Sequence, residues 1–479
     1  MKVCVIDVGT SSIRSAVTDG SGVRCFRQQR TPPDMPEPGL VEFDATEMAE
    51  VILRTATEVV DEVGGVDAVA VTNQRGSAIV WDRRTGEPVG PALGWQDLRT
   101  VGECLAWQAD GLPMVPNESA TKLVYLLDQH DPDRTRDLCF GTVDTWAVWC
   151  LSQGAAHVVD LSNAAMSGML ADDAGGWSPE ILDRLGVPPG CLPEIVDSTG
   201  VVGAATALPG APPIAGIIGD QQSSLIGQRC VLEGQAKLTF GTGAFLDVCM
   251  GGDRPIAEKR SDRGTFPIVA WQESGAVVWG VEAMMIAAGS NMSWLIDDVG
   301  LLSDASQSEE MAASVPDAGG VVYVPALYGL GTPHWDFGAR GALFGLTGGT
   351  TAAHIVRAVF EGVAQRAADL VEAAEADSGH RLERLRVDGG MSQNPVFTQI
   401  LADTLGRTVE LCPVPEGTAL GAAVLAGRAL GEWSSWQEVA DTWSPRAVVE
   451  PAEGVDRDRW HDAVGRAARW YPELSDIGL

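Results

Sequence analysis

The sequence predicts an α/β fold, and three observations carry that prediction. Short apolar runs of strand type alternate with helical runs along the 479 residues. Several of those strands end in Gly with Asp, Thr or Ser, which punctuates strand–turn–helix units. The composition, 45% apolar and 20% charged, suits a globular chain long enough for two or three domains with sizeable cores. Val3–Ile6 reads as the opening strand and Thr46–Val63 as the first long helix, followed by strands at Ala68–Thr72 and Ala78–Trp81. Helices are expected at Ala120–Gln129 and Asp144–Ser152. Strand Ile214–Ile218 then leads through Gly219-Asp220 into a short helix, Ser223–Gly227. Further strands are expected at Ala236–Phe240, Ala244–Met250, Val277–Val281, Val321–Val324 and Arg384–Val387, and helices at Ala283–Asp297, Thr351–Ala374 and Asn394–Leu405. Mixed order of this kind means sheets covered by helices. Gly and Pro cluster at 200–213 and 251–255. The domain boundary is placed near Arg229, giving an N-terminal domain 1–229 and a C-terminal domain 230–479.

Charge and cysteine usage exclude several classes. The formal net charge is −32 and no basic patch is visible, so nucleic acid and anionic membranes are expected to be poor partners. The nine cysteines are dispersed, with no CxxC pair and no signal peptide, which argues for reduced thiols in a cytoplasm. No apolar run is long enough to cross a bilayer. There is no GxxxxGK[ST] phosphate loop and no GxGxxG at a strand–helix junction. The six histidines lack HxxxH or HExxH spacing, so a zinc hydrolase is unsupported.

Three stretches have one design in common, an apolar strand and then a turn of Gly with Asp, Thr or Ser. They are Val5-Ile6-Asp7-Val8-Gly9-Thr10-Ser11-Ser12-Ile13-Arg14, Leu238-Thr239-Phe240-Gly241-Thr242-Gly243-Ala244-Phe245, and Leu385-Arg386-Val387-Asp388-Gly389-Gly390-Met391-Ser392-Gln393-Asn394. Glycine allows close backbone approach, and successive N–H groups with hydroxyls make an anion cradle. An Asp at a strand end can hold a hydrated Mg²⁺, and Arg14 lies within reach of a phosphate. Any one such turn reads as an ordinary β-turn; three together, with Asp7 and Asp388 at strand ends, point to phosphate binding. Asp220, after Gly219 and before Gln221-Gln222, is placed to accept a proton from a substrate hydroxyl. The same Asp220 also reads as the start of a helix, and both roles can hold at once.

With these stretches lined up, the chain resembles the FGGY carbohydrate kinases, and among their branches the glycerol kinases most closely. The resemblance runs from Val5 to about Gly431. Its most specific segment is Gly341-Ala342-Leu343-Phe344-Gly345-Leu346, then seven residues, then His354-Ile355-Val356-Arg357-Ala358-Val359-Phe360-Glu361. Asn73-Gln74-Arg75, Trp95–Thr100, Gly219–Gln222, Gly329–Asp336 and Thr418–Ala423 also match. The resemblance implies two actin-like, ribonuclease-H-like ATPase domains with a cleft between them. It implies transfer of the γ-phosphoryl of ATP, with Mg²⁺, to a primary hydroxyl of a small polyol or sugar. In that scheme Asp220 is the general base, and Asp7 with Asp220 forms the Mg²⁺ side. Thr10, Ser11, Ser12 and Arg14 form the first phosphate loop, and Gly241 and Thr242 the second. Gly389, Gly390 and Asn394 form the adenosine motif. Gly289 and Ser293 contact nucleotide, although the family usually has Gln where Ser293 stands. Arg75, Trp95, Asp220, Gln221 and Phe245 line the polyol pocket.

Two departures bear on the substrate. The branch carries a glycerol-bonding Glu where Gly76 stands and a pocket Tyr where Asn117 stands. Losing them removes hydrogen bonds and is expected to add volume, which changes substrate choice. A longer polyol or a pentulose of the xylulose type then enters, and a non-catalytic actin-like sugar sensor is the alternative of another class. The expected partners are therefore ATP and a small polyol or sugar, with a homodimer left open.

Overall fold

The structure is a computed structural model and describes residues 1–19, 22–256, 259–414, 417–455 and 457–476. The chain divides into two compact units. The first comprises Met1–Arg229, Val269–Val278 and Glu416–Asp441; the second comprises Cys230–Ile268, Trp279–Pro415 and Thr442–Leu479. A single cut at 229/230 is therefore too simple, because two later segments return to the first unit. The helix Gly417–Ala429 packs there against the helix Asp220–Gly227. A Cβ on Gly421 would lie 1.7 Å from the Ser223 carbonyl oxygen, and one on Gly227 would lie 1.8 Å from that of Gly417. Only glycine permits such an approach, and that pairing leaves no local signal at either helix.

In the first unit the strands lie in the order Thr199–Ala204, Pro213–Gly219, Ala68–Asn73, Val3–Val8, Ser12–Thr18, Val23–Arg30. Val3–Val8 runs parallel to Ala68–Asn73, which runs parallel to Pro213–Gly219. The hairpin strands Ser12–Thr18 and Val23–Arg30 are antiparallel. Val3–Val8 and Ala68–Asn73 are buried along their whole length, as central parallel strands must be. The helix Ala45–Glu62 covers the sheet with a stripe of Met48, Val51, Ile52, Ala56, Val59 and Val60. Its N-cap Asp44 accepts hydrogen bonds from Thr46 N and Glu47 N.

The second unit repeats this plan. Its order is Ala447–Val449, Thr408–Leu411, Arg384–Gly389, Ala236–Phe240, Ala244–Gly251, Ala276–Met285. Thr408–Leu411, Arg384–Gly389 and Ala236–Phe240 are parallel, and the hairpin that continues from Ala236–Phe240 is antiparallel. Both units thus place a Gly-Thr turn between their first two strands. The 27-residue helix Ala352–Ser378 supplies much of the second core, closed by the αL residue Gly379.

The expected helix Ala283–Asp297 is corrected. Residues 283–285 finish the strand Ala276–Met285, opposite Leu246, Phe245 and Ala244, and helical structure begins only at Ser290. Backbone pairing with the strand Ala244–Gly251, with Val281, Ala283 and Met285 buried beneath it, overrides helical propensity. No helix of the described residues is long and apolar enough to cross a membrane.

Candidate active site

The acceptor side is assembled on neighbouring strand ends of the first unit. Asp7 sits near the end of Val3–Val8, Gln74-Arg75 comes directly after Ala68–Asn73, and Asp220 opens the helix after Pro213–Gly219. Parallel pairing places Asp7 opposite Thr72 and Gly219 opposite Asn73, so residues distant in sequence converge at one sheet edge. Arg75 Nε lies 3.7 Å from Asp220 Oδ1. The same oxygen accepts from the Gln221 N–H at 2.8 Å. Thr10 Oγ1 donates to Gln74 Oε1 at 3.1 Å and accepts from Trp95 Nε1 at 3.2 Å. Trp95 is thereby tied to the first turn.

Arg14 stands across the hairpin from Asp7 and donates to its Oδ2 at 3.2 Å. Burial pushes the Asp7 carboxyl up to about 6; the Arg14 charge opposes the shift and the negative charge of Asp220 adds to it. Two carboxylates that sense one another at a sheet edge form a donor set suited to a divalent cation.

Not every predicted residue presents its side chain openly. Ser11 is exposed, but Ser12 is buried in its strand and its Oγ accepts from Gln28 Nε2 at 3.0 Å. Its side chain is taken up by the hairpin and does not lie open to a phosphate. Gly76 has φ +74°, and a Cβ there would lie 2.5 Å from the Asn117 carbonyl oxygen. The Asn117 backbone thus closes onto Gly76, and Asn117 itself is exposed. Phe245 stands half-buried on a strand of the second unit, apart in the chain's organisation from Arg75 and Trp95.

The second unit carries the other turns. Gly241 and Thr242 are exposed, and the turn is tied to 288–290 by hydrogen bonds from Ala288 N and Ser290 N to the Thr242 oxygen and from Gly289 N to the Gly241 oxygen. A Cβ on Gly289 would lie 2.5 Å from the Gly241 oxygen, so Gly289 is needed for close approach. Gly389 has φ +90° and would place a Cβ 2.2 Å from the Phe240 oxygen, whereas Gly390 faces open space. Asn394 accepts from Val396 N and Phe397 N as a helix cap and donates to Ser308 Oγ. Its side chain holds the turn's shape. Ser293 is exposed on a short helical turn.

Sequence reasoning missed several buried polar groups in both units. Lys237 and Asp247 form a fully buried ion pair at 2.7 Å, and Lys237 Nζ donates to Thr239 Oγ1. Lys122 is fully buried, donating to the Pro116 and Glu118 carbonyls beside Asn117; burial pushes its amine down to about 7. Asp160, Ser162 and Asn163 are also fully buried. Asp160 was findable, since Asp before a helical run is a common N-cap.

Residues 2–227 match the N-terminal domain, and residues 236–430 the C-terminal domain, of the FGGY family of carbohydrate kinases. The chain belongs to that family, and it is an ATP-using phosphotransferase. Among similar proteins are the glycerol kinase of Trichlorobacter lovleyi, 41% identical over 98% of this chain and 99% of the relative, and that of Halorhodospira halophila, 42% identical over 100% and 98%. A crystal structure of Plasmodium falciparum glycerol kinase with ADP superposes with a TM-score of 0.89 at 28% identity, covering 97% of this chain and 98% of that one. A xylulose kinase from Lactobacillus acidophilus has the same fold, with a TM-score of 0.83 at 18% identity over 99% and 97% of the two chains.

Proposed function

We propose that the protein transfers the γ-phosphoryl group of ATP to a primary hydroxyl of glycerol, with Asp220 as the general base. The observation that carries this reading is the Arg75–Asp220 pair on adjacent strand ends, beside the Trp95–Thr10–Gln74 chain. Arg75 orients the acceptor, and Asp220 takes the hydroxyl proton as the oxygen attacks. Trp95 gives the carbon skeleton an apolar wall. On the nucleotide side, the backbone N–H groups of the Thr10–Ser11 turn and the Ser11 hydroxyl offer donors to phosphate oxygens in the first unit; in the second, the exposed Gly241–Thr242 turn offers donors of the same kind and Gly390 leaves room for the nucleoside. Asp7 and Asp220 would hold Mg²⁺, whose charge neutralises the phosphates when bound. The odd, dispersed spacing of the nine cysteines supports a reducing, cytoplasmic setting.

Glycerol is favoured by relatives of about 40% identity over nearly the whole chain. A longer polyol or a pentulose is the second reading, favoured by Gly76, which offers no side chain to a small triol. In an ADP-release screen over C3–C6 polyols and ketoses, glycerol should give the highest kcat/KM. Asp220→Asn should lower turnover by about 10²- to 10⁴-fold while ATP still binds. Near-normal turnover in that variant removes Asp220 from the role.

A further inference from the structure

We propose that Ser162 and Asn163 are positioning residues for phosphoryl transfer, fixing the two strand ends that carry Asp220 and Arg75. This rests on the reading of Asp220 as the base. Gly219 and Asn73 are the last paired residues of their parallel strands, and beyond them the backbone adds the bond from the Gln74 N–H to the Val8 oxygen at 2.9 Å, so side chains supply the remaining hold. The short helix Leu161–Ala165 supplies that hold at both ends. Ser162 Oγ accepts from the Gly219 N–H at 3.0 Å, one residue before Asp220. Asn163 and Asn73 exchange reciprocal amide hydrogen bonds at 3.0 and 3.1 Å. Asn73 Nδ2 also donates to the Gln74 carbonyl at 2.8 Å, one residue before Arg75.

Asp160 sets the orientation of both side chains. It accepts from Ser162 N and Oγ, each at 3.0 Å, from Asn163 N at 3.0 Å, from Asn163 Nδ2 at 2.8 Å and from Ser198 Oγ at 2.8 Å. The Ser162 proton therefore points at Asp160, leaving a lone pair for Gly219. Asn73, Asp160, Ser162, Asn163 and Ser198 are all fully buried. A buried carboxylate with four polar companions is a costly way to fill space that apolar side chains could fill. Here the bonds of Ser162 and Asn163 terminate on the two chain segments whose spacing sets the Arg75–Asp220 pair.

The test compares Ser162→Ala, Ser162→Thr and Ser198→Ala in the full-length protein. Ser198→Ala breaks a bond to the same carboxylate, but the Ser198 side chain reaches neither strand end, so it reports the purely structural effect. Ser162→Ala should lower kcat by about 10- to 100-fold with KM for ATP nearly unchanged. Ser162→Thr should restore most of kcat, and Ser198→Ala should lose thermal stability but keep kcat. The proposal is overturned if Ser162→Ala retains kcat per folded enzyme, or if Ser198→Ala loses as much turnover. If Ser162→Ala does not fold, Asn163→Asp is measured by the same criteria. Asp220→Asn, run in parallel, separates the two readings. If it retains turnover, the base assignment fails and this proposal with it. If it is inactive while Ser162→Ala is normal, only the positioning role fails.

Discussion

Asp7 shows how a single buried carboxylate can cost stability at a proposed metal site. Its ordinary pKa of 3.8 rises to about 6 in the folded chain, so the folded state holds the proton more tightly than the unfolded one. Stability therefore falls as pH rises between these values, and the full cost is present above pH 6. Asp7→Asn should stabilise the metal-free protein at neutral pH by about 1–3 kcal/mol, with the gain vanishing near pH 4, while turnover is lost. Denaturant midpoints measured across that range check the sign. Gly76 is a second residue-scale case. Gly76→Ala meets both a left-handed backbone and the Asn117 oxygen, whereas Gly64→Ala, at φ +71° with nothing within 4 Å, meets only the first. Gly64→Ala should cost about 1 kcal/mol and Gly76→Ala about 2–4 kcal/mol, together with a raised KM for the acceptor. Equal losses at the two positions would show that the Asn117 carbonyl yields freely.

Two helices govern the placement of Asp220, the proposed base, at the next scale. Asp220–Gly227 and Gly417–Ala429 cross with backbones in near contact, and Ser223 Oγ donates to the Thr418 carbonyl at 2.6 Å. Gly421→Ala must push the helices apart and should destabilise the protein by about 3 kcal/mol or more. Because Asp220 begins one of these helices, kcat should fall in the protein that still folds. Gly465→Ala is the contrast. That residue is exposed in the helix Asp458–Ala467 with nothing within 4 Å, so alanine there should stabilise by about 1 kcal/mol. Thermal and urea unfolding distinguish the two. A gain of stability at both positions would mean that helix propensity, and not the crossing, governs Gly421.

Over the whole molecule, the cysteines report packing in both units at once. Eight are buried and Cys150 is intermediate. Burial pushes the thiols of Cys4, Cys150, Cys191 and Cys230 up to about 12, and those of Cys104, Cys139 and Cys249 up to about 11. A thiol reagent at pH 8 should therefore react slowly with the native protein and then with all nine after denaturation. A fast native phase of several thiols would contradict this packing. The doubled sheet plan is the other whole-molecule feature. It explains why Gly-Thr turns recur at Thr10 and Thr242, each between the first two strands of its unit.

Local signals suffice wherever chemistry and chain direction coincide. The strand Val3–Val8 with its Asp and Gly turn, the strand that delivers Asp220, and the turns at Gly241 and Gly389 can all be read from runs of a few residues. Residues 283–297 mislead because alternation and helical spacing overlap in a short apolar run, and only a paired strand breaks the tie. Ser12 and Asn394 belong to the expected turns, but the direction in which a side chain is satisfied depends on partners far along the chain, Gln28 and Ser308. The same holds for Gly76 beneath Asn117, for the return of Gly417–Ala429 to the first unit, and for the amide pair Asn73–Asn163. Patterning and turn chemistry act between neighbours in sequence, so the primary structure settles them. Close backbone approach and buried polar pairing act between neighbours in space, which exist only once the strands have found their register.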